Sequence, residues 1–325
     1  MTLSVAEHVD TRREKVVRRF ALTDALFHGV SRAAAILVLL LLGGVAVSLV
    51  VGAWPALANF GVSFLTTESW NPVTEKFGAL APIYGTLVTS AFAVLIAVPI
   101  GLGIAVFLTE LCPRPLRRPI AIAVELLAGI PSIIYGIWGL FVFAPFLQTH
   151  FQPFLIDAFQ DIPGLSSVFA GPPYGIGVLT SSLILAIMVL PFITSISKDV
   201  FDTVPSVLKE SAYGIGCTTW EVVRRIVIPH TRVGIMGGVM LGLGRALGET
   251  MAVTFVIGNA HRISSSLFAP GTTISATIAN EFTEADGEIY TSSLIALGLI
   301  LFFITFLILA LARYMLMRIE RKAGA

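Results

Sequence analysis

Long apolar stretches alternate with short polar ones along this chain of 325 residues. Six of the apolar stretches reach the roughly 20 residues that one helix needs to cross a bilayer. They are residues 33–53, 83–109, 119–144, 174–197, 233–258 and 291–312. The first, second, fourth and sixth contain no charged residue. The pattern predicts an all-α integral membrane protein with six transmembrane helices.

Composition agrees with this prediction, and the distribution of charge adds an orientation. Only 13% of the residues are charged, about half the share of a typical soluble domain. Eighteen of the 21 Lys and Arg residues lie in four places: before the first span, after the second, after the fourth and after the sixth. Because an excess of Lys and Arg marks the cytoplasmic side, both termini are predicted to be cytoplasmic.

The same pattern divides the chain into segments. Residues 1–32 form a basic segment in which Val16, Phe20, Phe27 and Val30 share one helical face, which predicts an amphipathic helix on the membrane lipids or a simple topology anchor. The first span, 33–53, is followed by a compact external loop, 54–82. A core of five spans is predicted over 83–317, and a basic tail over 318–325.

The sequence lacks the motifs of several kinds of chemistry. It contains no Gly-Lys dipeptide, and therefore no Walker A phosphate loop. Its five histidines and two cysteines have no spacing suited to a zinc or haem site. We therefore expect a protein that is not itself an enzyme, with no cofactor, no metal and no nucleic-acid partner.

Two charges lie inside the predicted fifth span. Gly234, Gly238 and Gly242 recur every four residues, a spacing that lets two helices approach closely in a membrane. Arg245 falls within about 20° of that face in an ideal helix, and Glu249 lies one turn further along. The two charges either neutralise each other as a structural pair, or Arg245 receives an anion and Glu249 tunes it. A guanidinium suits phosphate or carboxylate because its donors form a planar fork.

The predicted third span contains a further charge and a break. Glu125 is a weaker candidate for a substrate pathway, since it could instead reach the membrane surface or pair with Arg117 or Arg118. The break at Gly129-Ile130-Pro131 indicates a kink, because proline removes a backbone hydrogen bond from a helix. This kink is either a hinge and pathway wall or a packing feature.

A polar segment, residues 203–229, separates the fourth and fifth spans and is called the hairpin below. Its sequence predicts one short helix that starts near Thr203 and stops at Gly216. A second helix is predicted to start at Thr218, where Glu221 three residues later completes a capping box, and to stop at Pro229.

The hairpin also resembles a known motif. Glu210-Ser211-Ala212, then Gly216, nine residues and Ile226-Val227-Ile228-Pro229 is similar to the EAA loop of ABC importer permeases. That family has Glu-Ala-Ala, three residues, Gly, nine residues and Ile-x-Leu-Pro, so only Ser211 and Ile228 depart from it. In the family this loop docks on the ATP-hydrolysing subunit. The resemblance implies a coupling role for Glu210, Ser211, Ala212, Gly216, Ile226 and Pro229.

Three more runs resemble the phosphate-specific permeases of the PstC type: "WNPVTEKFGALAPIYGTLVTS" (70–90), "AGIPSIIYGIWGLFVFAP" (128–145) and "GRALGETMAVTFVIGN" (244–259). This resemblance implies the MetI-like fold of type I ABC importer permeases in a bacterial inner membrane. It also implies a sister permease of the PstA type meeting the glycine face, two ATPase subunits of the PstB type and an external phosphate-binding protein. Two alternatives stay open: another oxyanion, such as sulfate, molybdate or phosphonate, and a stand-alone secondary transporter.

Overall fold

The structure, a computed structural model, describes the backbone of residues 3–323 and the side chains of residues 23–318. Over this part of the chain the secondary structure is helical apart from one isolated bridge between Asn71 and Lys76. The helices, in chain order, are α1 (Leu3–Phe60), α2 (Ser63–Thr66), α3 (Leu80–Val106), α4 (Arg114–Ala128), α5 (Ser132–Trp138), α6 (Ala144–Phe146), α7 (Gln152–Phe159), α8 (Leu165–Val168), α9 (Val178–Asp202), α10 (Ser206–Gly214), α11 (Thr219–Val222), α12 (Ile228–Leu247), α13 (Met251–Val256), α14 (Ile274–Glu281) and α15 (Glu288–Ala323). Four π-helical stretches extend or join them: Phe107–Leu111, Gly139–Phe143, Leu147–Phe151 and Val223–Val227.

The predicted number of spans is confirmed. Six segments of the described chain are long and apolar enough to cross a membrane: Thr23–Phe60, Leu80–Leu111, Ser132–Phe159, Val178–Asp202, Thr219–Leu247 and Glu288–Arg318.

The third and fifth spans differ from their predicted bounds of 119–144 and 233–258. The third span begins at Ser132, because α4 ends at Ala128 and Pro131 has an extended backbone with ψ 137°. The fifth span ends at Leu247, and a separate helix begins at Met251. Gly248, the first residue after α12, disfavours continuation of the helix.

The chain separates into two units, residues 1–52 and residues 53–325. The first unit consists of α1 up to Gly52. Val16 and Phe20 of the predicted amphipathic face lie outside the described side chains, as do residues 319–325 of the predicted basic tail.

Helix α9 is the most buried span of the second unit and packs on α3 and α12. A Cβ atom added to Gly234 would lie 2.5 Å from Val200 Cγ1, and one added to Gly242 would lie 2.7 Å from Val189 Cγ1. Only glycine therefore permits this approach of α12 to α9. The glycine face is filled by the chain's own α9, so the prediction that a sister permease meets that face is wrong.

At the end of the bundle opposite the hairpin, the polar segment after α13 folds back into the core. Thr272, Ser275 and Thr277 are buried, and the Thr273 side chain accepts the N–H of Ala276 to cap α14. In the loop 54–82, between the first and second spans, Phe64, Trp70 and Phe77 are also buried. This end is therefore a packed cap built from two loops.

Candidate functional site

A cavity of about 730 Å³ lies between α12 and α15. Its charged lining residues are Arg245, Glu249 and Arg313. The other lining residues are Phe192, Gly237, Met240, Leu241, Gly244, Gly248, Leu309 and Leu316.

The cavity exists because α12 presents glycines towards α15. A Cβ atom on Gly237 would meet nothing within 4 Å, and one on Gly244 would lie 3.8 Å from the Cδ atoms of Leu309. These positions leave space at the helix surface that a larger residue would fill. This open face of α12 is distinct from the face of Gly234, Gly238 and Gly242, which α9 fills.

Arg245 lies in the last turn of α12 and contributes to the lining of the cavity. Its guanidinium carbon is 4.8 Å from the centre of the Phe192 ring on α9. Such a cation–π contact holds the group in place, and the N–H donors point outwards in the plane of the guanidinium. The Nε atom is buried and has no hydrogen-bond partner in the described chain. A buried donor without a partner favours an acceptor from outside the chain.

Glu249 does not lie one helical turn beyond Arg245, because α12 ends at Leu247. Its carboxylate accepts the N–H of Ala252 at 3.3 Å, in the first turn of α13. Among the described side chains no ion pair joins Arg245 to Glu249. The structure therefore does not support the interpretation of the two residues as a mutually neutralising pair.

Glu125 lies on α4 and does not line the cavity. Its carboxylate is 3.5 Å from Lys198 Nζ at the end of α9, whereas Arg117 lies 2.5 Å from Asp202. The expected partner, Arg117 or Arg118, is thus replaced by Lys198. Both ion pairs join α4 to the end of α9.

The glycine turn and the helix cap predicted in the hairpin are confirmed, but the first helix begins at Ser206 and not near Thr203, which is the C-cap of α9. Gly216 has φ +92°, a left-handed conformation that favours glycine, at the turn between α10 and α11. Thr218 and Glu221 form the predicted capping box: the Thr218 N–H donates to the Glu221 carboxylate at 2.9 Å, and the Glu221 N–H donates to Thr218 Oγ1 at 3.4 Å.

The predicted stop at Pro229 is wrong. Helix α11 continues through the π-helical turn Val223–Val227 into α12, which contains Pro229 in its first turn. Pro229 therefore lies inside a continuous helix, just after a π-helical turn where the hydrogen-bond register changes. The second half of the hairpin is therefore continuous with the fifth span.

The base of the hairpin is firmly anchored. Ala212 is buried in a cluster with Phe201, Val222 and Val227. Lys209 Nζ donates to the Glu110 carboxylate at 2.6 Å, and the Glu110 side chain is only 7% exposed. These contacts hold the hairpin against the ends of α3 and α9.

The tip of the hairpin, by contrast, exposes apolar side chains: Ile215 is 84% exposed and Trp220 is 65% exposed. Of the residues predicted to couple, Ala212 is buried and Ile226 is partly buried, while the remaining four, Glu210, Ser211, Gly216 and Pro229, are exposed. The sequence interpretation missed Ile215 and Trp220. Their signal was the presence of large apolar residues in an otherwise polar segment, beside the glycine turn and the helix cap.

Comparison with known proteins assigns this architecture to a family. The model of the family described as "Binding-protein-dependent transport system inner membrane component" matches residues 97–321. The chain belongs to this family.

A relative from Mesorhizobium japonicum, named "Phosphate transport system permease protein PstC", is 80% identical over 317 residues, which cover 98% of this chain and 97% of the relative. A relative of the same name from Pasteurella multocida is 57% identical over 301 residues, 93% of this chain and 94% of its own. The resemblance to the PstC type is confirmed.

Two solved structures support the fold. The permease fold matches a chain of a bacterial alginate ABC transporter with a TM-score of 0.56 at 18% identity, over 83% of this chain and 87% of that one. A chain of the inward-facing MetNI methionine ABC transporter matches with a TM-score of 0.53 at 17% identity, over 73% and 94%. The predicted type I ABC importer permease fold is confirmed.

Proposed function

We propose that this permease is a transmembrane subunit of an ATP-driven phosphate importer. The observation that supports phosphate as the transported ion is the 80% identity, over nearly the whole of both chains, to a relative named for phosphate transport. The two alternatives, another oxyanion and a stand-alone secondary transporter, are outcomes of the experiment below.

The cavity between α12 and α15 supports an anion pathway. Two arginines and one glutamate line it, which leaves a positive charge surrounded by apolar side chains. In this proposal Arg245 receives the ion with its planar fork of donors, and Glu249 keeps the attraction weak enough for release. Glu125 has a different role: it secures α4 against α9 through Lys198.

The hairpin supports coupling to a partner ATPase. Its anchored base and exposed apolar tip are the properties of a rigid element that inserts into a groove of another protein. In this proposal Ile215 and Trp220 dock on the ATPase together with Glu210 and Gly216. The continuous helix from Thr219 to Leu247 then carries the displacement towards Arg245.

In this proposal the partner subunits bind at these two surfaces. A sister permease of the PstA type completes the wall of the cavity, and two ATPase subunits of the PstB type bind the hairpins of the two permeases. An external phosphate-binding protein delivers the ion to the opposite end of the bundle. In this proposal the hairpin and both termini are cytoplasmic and the spans lie in the bacterial inner membrane, which the excess of Lys and Arg in these segments supports.

Reconstitution tests this function. The permease is co-expressed with its sister permease and ATPase, and ATP hydrolysis is measured in proteoliposomes with binding protein pre-incubated with phosphate, sulfate or molybdate. Stimulation by phosphate alone is the expected result. Stimulation by another anion instead would keep the importer and replace its cargo. Uptake that needs no ATPase would favour a secondary transporter.

A further inference from the structure

The geometry points to Arg313 as a second contact for the transported oxyanion, located on the hairpin side of Arg245. This inference rests on the proposed function and adds to it a residue from the last span. Arg313 lines the same cavity as Arg245, although it comes from α15 and lies 68 positions later in the sequence. The ligand class is a tetrahedral oxyanion, whose oxygens can accept hydrogen bonds from two guanidinium groups.

The helix register locates Arg313 relative to Arg245. Gly244, next to Arg245, lies opposite Leu309, since a Cβ atom there would be 3.8 Å from both Leu309 Cδ atoms. Arg313 follows Leu309 by four residues, which is one turn and about 6 Å along α15. Helix α15 runs away from the packed cap, so this step leads towards the hairpin end.

Neither arginine forms an ion pair within the described part of the chain. Arg117, Lys198 and Lys209, at the same end of the bundle, each form an ion pair with a carboxylate. No described carboxylate lies within ion-pair distance of Arg245 or Arg313. The two guanidinium groups in one cavity repel each other, and an anion between them removes that cost.

The path between the two arginines is open. Gly237 and Gly244 contribute no side chain, and a Cβ on Gly237 would meet no atom within 4 Å. The remaining walls come mainly from Met240, Leu241 and Leu316. An ion that leaves Arg245 towards the hairpin thus meets apolar walls until it reaches Arg313. A charged contact there lowers the barrier to exit without holding the ion in a closed site.

Arg318 is the matched control for this inference. It lies on the same helix and is also exposed, but its guanidinium carbon is 5.0 Å from the centre of the Tyr314 ring and it does not line the cavity. A role limited to membrane topology or to lipid headgroups predicts similar effects at both positions. A role in the cavity predicts an effect at Arg313 alone.

The test compares R313Q, R313K and R318Q in the reconstituted complex. Initial phosphate uptake and phosphate-stimulated ATP hydrolysis are measured at equal amounts of assembled complex. We expect R313Q to lower uptake about tenfold, as for the loss of a charge-assisted hydrogen bond, and R318Q to leave it unchanged. R313K keeps the charge without the fork, so we expect an intermediate rate, and it serves as the second variant if R313Q does not assemble.

Three results would overturn the inference: wild-type uptake by R313Q, equal losses in R313Q and R318Q, or, should R313Q fail to assemble, wild-type uptake by R313K. The measurement is repeated in vesicles of neutral phosphatidylcholine. A defect that disappears there would assign Arg313 to anionic lipid headgroups and also overturn its role with the free ion. Failure of the proposed function looks different, since the wild-type complex itself would then show no response to phosphate.

Discussion

The surroundings of Arg245 are the most informative feature at the scale of single residues. Its ring contact with Phe192 holds the guanidinium at the edge of the cavity, and its buried Nε has no acceptor in the described chain.

We expect Arg245→Ala to reduce phosphate uptake about tenfold or more, because a charge-assisted contact with the ion is lost. Initial uptake rates in proteoliposomes measure this. R245K, which keeps charge but loses the fork, is expected to be intermediate. Wild-type uptake by an assembled R245A complex would exclude Arg245 from the pathway.

Glu249 combines a structural contact with a charge, and one substitution separates them. Gln at this position can still accept the Ala252 N–H through its amide oxygen, so α13 is expected to remain in place. Removing the negative charge makes the cavity more positive. We expect E249Q to lower the apparent KM for phosphate uptake and also to lower the maximal rate, because release becomes slower. An unchanged KM with an unchanged maximal rate would show that the Glu249 charge does not act on the ion.

At the scale of elements, the hairpin tip provides the clearest experiment. Trp220 is 65% exposed, and exposed tryptophans are frequent energetic centres of protein interfaces. We expect W220A to reduce co-purification of the ATPase subunit and to abolish most of the phosphate-stimulated hydrolysis. Val73, 92% exposed on the loop at the opposite end, supplies the control V73A. If W220A and V73A behave alike, the ATPase does not use this part of the hairpin.

The two glycine faces of α12 are expected to respond differently to substitution by alanine. A Cβ on Gly242 would lie 2.7 Å from Val189, so we expect G242A to destabilise the protein by about 1–3 kcal/mol through overpacking. A Cβ on Gly237 meets nothing within 4 Å, and Ala there adds up to about 1 kcal/mol of helix propensity. Thermal unfolding in detergent should therefore move in opposite directions for the two variants. A similar loss in both would contradict the packing of Gly242 against α9.

The sequence predicts the elements whose determinants are local. The apolar lengths predict six spans, and the hairpin turn at Gly216 and the cap at Thr218 follow from a few neighbouring residues. Distant contacts escape this reasoning. The pairing of Glu125 with Lys198 and the presence of Arg313 beside Arg245 both depend on how helices far apart in sequence pack. The continuation of the helix through Pro229 could not be predicted either, because it depends on the π-helical turn that precedes α12.

At the scale of the whole molecule, one helix connects the two candidate surfaces. The segment Thr219–Leu247 runs from the hairpin tip to the cavity, so we expect a displacement of the hairpin to move Arg245 with it. The glycine face of α12 rests on α9, where close packing resists independent motion. Helix α15 contacts the open face of α12. We infer that the cavity wall between α12 and α15 changes shape more readily than the contact between α12 and α9.

At the other end of the bundle, a cluster of side chains around Glu281 joins the two loops of the packed cap. The Trp70 N–H donates to the Glu281 carboxylate at 3.3 Å, and the Tyr290 hydroxyl donates to the same group. The His261 ring stacks on Trp70 with centroids 5.5 Å apart, and its Nε2 lies 3.5 Å from Glu281. The Glu68 carboxylate also accepts the N–H of Ile263 at 2.5 Å. The loop 54–82 is thus fastened to the segment after α13.

This cluster predicts a pH dependence of stability. Burial lowers the pKa of the His261 imidazole below its ordinary 6.5, although the Glu281 carboxylate opposes the shift. The unfolded chain therefore binds a proton at a higher pH than the folded cap. The stability is fully present above about pH 6.5 and is lost as the pH falls through the lower folded pKa. We expect the melting temperature of the wild-type protein to fall more steeply between pH 7 and pH 5 than that of H261Q, which does not titrate and keeps a donor for Glu281. Parallel curves for the two proteins would show that His261 does not contribute to the pH dependence of the cap.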